Sequence, residues 1–173
     1  NMGVSHQALG NLDDAIDCFE KATALNPGYA AAYYNMGVAC YLKNELQRSI
    51  GCLDKAVALK PDYSAAYNQL VSLLQKTCDW HGLAESEPIL DRLTRAALAN
   101  RQTTAEAVFL NVSRCADPAL NFKLASRRSA EISERLTHIK MKMSFEEFRT
   151  ATGKIILGYF SEDFRDHPVG HLT

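Results

Sequence analysis

No apolar run in this chain of 173 residues approaches the roughly 18 residues that a bilayer-crossing helix requires, so nothing reads as a membrane span. Charge of one sign is also missing. Nineteen basic side chains meet twenty acidic ones, for a formal net charge of -1. That balance offers no basic footprint for nucleic acid and no acidic, disordered tail. The opening NMGVSHQALG lacks the basic start and apolar core of a signal peptide. Cysteine is sparse and unpatterned: Cys18, Cys40, Cys52, Cys78 and Cys115 form no C-x-x-C pair and no metal spacing with the histidines. Thiols without a framework fit a reducing compartment, which points to a cytoplasmic chain. Two other patterns are incomplete. Asn111 opens an N-V-S triplet, too short to be read as a glycosylation site, and the A-T-G-K at Ala151 lacks the spacing of a phosphate loop. His6, His81 and His138 stand alone and read as surface or packing residues.

What the chain does have is a repeat. Shifted by 34 residues, the first half lies on itself: NMGV at Asn1 recurs at Asn35, and ALNPGYAAAY at Ala24 returns as ALKPDYSAAY at Ala58. Sixteen of the first 33 positions are identical at that offset, where unrelated sequence gives about two. Within a unit, Tyr33, Met36, Gly37 and Cys40 recur at helical spacing and line one face. Ser49, Leu53 and Ala56 do the same on a second helix, and Gly37 is small enough to let that helix come close. Cys18 and Cys52 are equivalent, as expected of small, wholly or half-buried side chains. Pro27 and Pro61 cannot continue a helix and end their units. A pair of helices this short cannot bury its apolar face alone, so units stack into a solenoid. The period is the tetratricopeptide length, and the stretch from 1 to about 75 resembles that family. Asn1 falls inside a unit's first helix, which suggests a piece of a longer solenoid. Such arrays bind extended peptides or partner proteins. Asn1, Asn35 and Gln69 share one slot, a column of carboxamides with a donor and an acceptor on each rung. A column of that kind can hold a peptide main chain; it can equally be a solvent-facing polar edge.

From Cys78 the period is gone. Leu83, Ile89, Leu90, Leu93, Ala96, Ala97 and Leu98 predict a helix over roughly 85–100, with Asp79 as a start signal nearby. RQTTAEAVF reads as a polar break. A further helix is expected behind Asp117 as N-cap and Pro118 at its first turn, with Leu120, Leu124 and Ile132 on its apolar face. The last segment changes character. KIILGYF (Lys154–Phe160) is β-branched and aromatic and predicts a buried strand; SEDFRD follows as a turn, and HPVGHL as a helix entry. A strand running into a helix is half of a β-α-β unit. Ligands sit beyond the carboxyl ends of such strands, where His167 and His171 fall four residues apart. A neutral imidazole there can serve as general base; the same residues can simply enter and pack a helix. Zinc is disfavoured, because Pro168 stands where H-E-x-x-H has its glutamate.

Taken in order, the repeat, the joint opening on CDW, the DPAL helix and GYFSEDFRDHPVGHL resemble the bacterial-type protein O-linked N-acetylglucosamine transferases and the related SPINDLY proteins. Nine positions carry the final motif: Gly158, Tyr159, Ser161, Asp163, Phe164, His167, Pro168, His171 and Leu172; Phe160 replaces the usual Val. The resemblance implies a mostly α chain with tetratricopeptide repeats over 1–77, a helical linker over 78–152, and at 153–173 the first β-α element of a GT-B α/β catalytic lobe. It implies an inverting, metal-independent transfer of N-acetylglucosamine from UDP-GlcNAc to Ser or Thr of proteins. His167 and His171 would then be the catalytic pair, Asn1 and Asn35 would hold the acceptor peptide, and no cofactor would be bound. The donor site would lie beyond these residues, so the 173 residues alone are expected to be inactive. The alternatives are a repeat scaffold without catalysis and a SPINDLY-like O-fucosyltransferase.

Overall fold

The 34-residue period becomes three stacked helix pairs. The computed structural model describes residues 2–142, with side chains through 136. Residues Asn1–Arg135 form one compact unit and Leu136–Thr173 a second, of which only the end of one helix is described. The helices are α1 (Met2–Ala8), α2 (Leu12–Leu25), α3 (Ala30–Leu42), α4 (Leu46–Leu59), α5 (Ser64–Lys76), α6 (Trp80–Ala99), α7 (Val108–Arg114) and α8 (Pro118–Lys142). No strand occurs among the described residues. None of their helices is long and apolar enough to cross a membrane.

Helix α3 packs on both α2 and α4, and α5 on both α4 and α6. Helices α1, α3 and α5 therefore make one layer (the A helices), and α2, α4 and α6 the other (the B helices). The repeat face read from sequence is the seam between them. Met36, Gly37 and Cys40 are buried on α3, as are Ser49, Leu53 and Ala56 on α4. Gly37 has its expected reason. A Cβ there would lie 3.0 Å from Leu53 Cγ and 3.3 Å from the Ser49 carbonyl. Ser49 Oγ uses the approach to donate to the Gly37 carbonyl at 2.7 Å. In the third unit Val71 replaces this glycine and is itself fully buried, while Glu87 replaces Leu53. The bulk moves from one helix to the other, and the period fades there. The core runs on across residue 77: Leu53, Leu70, Leu73, Leu83, Leu90 and Leu110 belong to one cluster spanning α4 to α7.

The turns inside the units repeat as well. Gly10, Asn44 and Cys78, each 34 residues from the next, adopt φ of 81°, 63° and 55°. Each follows an A helix in the left-handed conformation that closes a Schellman motif. At the second, Glu45 N donates to the Cys40 carbonyl and Asn44 N to that of Tyr41, both at 2.9 Å. Glycine adopts this conformation at no steric cost and Asn tolerates it, but a cysteine pays for its Cβ. Cys78→Gly is therefore expected to stabilise the fold by about 0.5–1 kcal/mol after the loss from a looser unfolded chain. Thermal melts of the two proteins check this. An unchanged or lower midpoint contradicts it.

Both expected N-caps are present. Asp79 Oδ1 accepts from Gly82 N at 3.0 Å, so α6 starts at Trp80, a turn before its apolar stripe. Asp117 Oδ1 accepts from Ala119 N and Leu120 N at 3.0 and 3.2 Å. The Leu120 bond first, then Arg95 and the Ala119 bond, hold its carboxyl below the usual range. On α8, Leu120 and Leu124 are buried as expected, but Ile132 is half exposed. Its neighbour Glu131 is buried instead, between Arg127 and Arg128. Three helical turns from Leu120 end on residue 131, so position 132 has rotated off the packed face. The segment expected to be a polar break ends in the first two residues of α7, which starts at Val108. The strand at Lys154–Phe160, the GT-B element, the boundary at 152/153, Asn1, His167 and His171 all lie outside the described residues.

Candidate protein-binding face

Helix α3 (AAAYYNMGVACYL) is apolar nearly all round. A surface helix of a two-layer array needs only one apolar stripe. The buried stripe is Ala32, Met36, Ala39 and Cys40; the other side carries Ala31, Tyr34, Asn35, Val38 and Tyr41, all half-buried, and exposed Leu42. Beside it, α5 presents Asn68, Gln69, Ser72 and Gln75 half-buried and Lys76 exposed. The two helices are joined at both ends of this surface. Tyr34 and Tyr63 meet with ring centroids 5.1 Å apart. At the other end the Lys76 ammonium donates to the Tyr41 hydroxyl and lies 4.6 Å from its ring centre. Burial pushes the Tyr34 and Tyr63 phenols up, so both keep a hydroxyl proton to donate.

The carboxamide column is reached in part. Asn35 and Gln69 are half-buried, and neither makes a side-chain hydrogen bond among the described residues. The carboxamide that does grip a main chain is one that sequence reasoning missed. Asn68 Oδ1 accepts from the backbone N–H of Ala107 at 3.1 Å, across 39 residues. The only sequence signal was its place beside Gln69.

A buried polar cluster delivers that N–H. Glu106 has a fully buried side chain. It accepts from Thr94 Oγ1 at 2.5 Å, Asn111 Nδ2 at 3.0 Å and Arg114 Nε at 2.7 Å. The Arg114 side chain is 4% exposed and lies 3.8 Å from Asp91 as well. The cluster ties α6 to α7 and fixes the backbone beside α5. It also accounts for Asn111, which is 0% exposed and closed to glycosylation in the folded chain.

The remaining sequence candidates sit apart from this face. Cys40 and Cys52 are buried, and burial raises both thiols, Cys52 to about 11. His6 lies 3.6 Å from Asp14, and the exposed His81 3.9 Å from Glu85. No group of three or more metal-ligating side chains occurs among the described residues.

Residues 1–64 match the family model of the tetratricopeptide repeat. No curated protein matches the chain. Solved structures do. The crystal structure of MamA is similar over 80% of this chain and 77% of its own, with 20% identity and a TM-score of 0.52. A MamA RS-1 double mutant is similar over 77% of this chain and 73% of its own, with 20% identity and a TM-score of 0.54. A further crystal structure of MamA protein covers 83% and 75%, with 19% identity and a TM-score of 0.51. At such identities the likeness speaks for fold alone. Nothing in these matches supports the glycosyltransferase resemblance. Residues 1–64 therefore match the tetratricopeptide repeat, and the helical array they open shares the fold of these solved structures.

Proposed function

We propose that this chain is a protein-interaction scaffold that holds an extended segment of a partner along the α3–α5 face. The single observation behind this reading is the second apolar face of α3. Tyrosine-rich and bordered by carboxamides, it stays only half-buried although Tyr34 and Tyr41 pack along the core and meet α5 at both ends. Tyrosines bury much area at low entropic cost, as binding surfaces use them. Asn35 and Gln69 supply donors and acceptors for a main chain. The bond from Ala107 N to Asn68 is an example of that grip within the molecule.

A labelled peptide of Ser, Thr and Ala, titrated against the isotopically labelled chain, tests this. Amide shifts are expected on α3 and α5. Asn35→Ala should weaken binding about three- to tenfold, the worth of one or two hydrogen bonds, without moving the melting midpoint. Shifts confined to α2 and α4, or none, contradict the reading. A second reading rests on the Gly158–Leu172 motif alone: a parent protein O-glycosyltransferase, for N-acetylglucosamine or fucose. In it the same face presents the acceptor, with Asn1 and Asn35 on its main chain and His167 and His171 at the sugar.

A further inference from the structure

Charge is divided between the two layers. Helices α1, α3 and α5 contain no Asp or Glu. The B helices contain eight: Asp13, Asp14, Asp17 and Glu20 on α2, Asp54 on α4, and Glu85, Glu87 and Asp91 on α6. Cations differ in their partners rather than by layer: Lys55 of α4 has no carboxylate within 4 Å among the described residues and lies 5.5 Å from the Tyr33 ring centre. Lys43, Arg48, Arg95 and Arg114 each face a carboxylate within 4 Å. Lys60 and Lys76 have no such partner among the described residues. Each lies over a tyrosine instead: Lys60 Nζ is 5.0 Å from the Tyr63 ring centre, and Lys76 Nζ is 4.6 Å from that of Tyr41. Tyr63 touches Tyr34, so the two lysines mark opposite ends of the α3–α5 surface. Tyr34 and Tyr41 are seven residues apart on one helix, about 10 Å along its axis. An extended chain covers that distance in about three residues.

We propose that the segment held on this face is acidic, with carboxylates at least three residues apart that pair with Lys60 and Lys76 while its main chain lies over Asn35 and Gln69. This rests on the scaffold reading above and adds the chemistry of the partner. A lysine parked on a ring has given up little hydration and no ion pair, so an arriving carboxylate gains a partner without breaking one. A basic segment would place its charges against these two ammoniums and find no carboxylate on the A helices.

The test uses three labelled peptides on one Ser/Thr/Ala frame, carrying Glu, Gln or Lys at two positions three residues apart. Fluorescence anisotropy with the full chain should rank them Glu, Gln, Lys. Two exposed pairs predict a preference of about three- to tenfold for Glu over Gln, shrinking as salt is raised. The double variant Lys60→Gln/Lys76→Gln should erase the preference, and Lys76→Glu should shift it toward the Lys peptide. Both side chains are exposed, so neither variant threatens the fold, and circular dichroism checks that. Equal binding of Glu and Gln peptides at low salt overturns the acidic assignment and leaves the scaffold standing. Binding of none of them overturns the scaffold reading as well.

Discussion

Arg114→Met is expected to cost the fold about 3–5 kcal/mol, because it strands a carboxylate in the interior. Glu106 has no exposed side-chain surface. Its two oxygens are served by Thr94, Asn111 and Arg114, and only Arg114 carries charge. Without the guanidinium, the remaining hydroxyl and amide cannot offset the desolvation of an anion. The loss is a large part of the 5–15 kcal/mol that holds a typical domain together. It should fall on the joint first: Leu110 leaves the cluster it shares with α5 and α6, and Ala107 N loses Asn68. The companion variant separates pairing from packing. Glu106→Leu with Arg114→Met removes both charges and is expected to recover most of the stability, since buried ion pairs replaced by apolar groups often come out even. Urea unfolding followed by circular dichroism measures all three proteins. A cost below about 1 kcal/mol for the single variant means that the pair is better solvated than its burial indicates.

Leu53→Ala is the second large effect, expected at about 2–5 kcal/mol. Leu53 is 0% exposed and fills the space that Gly37 leaves between α3 and α4. Those helices cannot close onto the gap, because the Ser49 hydroxyl already holds the Gly37 carbonyl at 2.7 Å. The cavity therefore stays, and its volume adds to the lost transfer energy. In a stacked array each unit is stabilised by its neighbours, so the damage spreads through α2 and α5 and lowers the cooperativity of unfolding along with the midpoint. Leu25→Ala is the control. Leu25 is 89% exposed, and its loss should change stability by no more than about 0.5 kcal/mol. Equal effects at the two positions would mean that the α3–α4 seam is not packed as described.

Much of the repeat was legible because a period repeats its own causes. Gly37 signalled a close approach, Pro27 and Pro61 the ends of units, Asp79 and Asp117 the starts of helices, and each structural reason lies within a few residues of the signal. The left-handed turn at Cys78 was legible in principle through Gly10 and Asn44, but a cysteine hides the demand that a glycine shows. On α8 the expectation erred by one residue, because Ile132 is apolar and Glu131 is not, while helical rotation favours 131 for burial. Arg127 and Arg128 make that burial tolerable.

The sequence alone determined the stacked helix pairs and the identity of the buried faces, both consequences of local periodicity and of what proline, glycine and an N-cap carboxylate do to a backbone. Tertiary structure alone decided that Asn68 rather than Asn35 holds a main-chain N–H, that Glu106 finds Arg114 in the interior, and that Lys60 and Lys76 rest on tyrosines while Lys43, Arg48 and Arg95 take carboxylates. Those pairings join groups whose separation along the chain carries no pattern, and only the packing of one helix layer on the next brings them within reach.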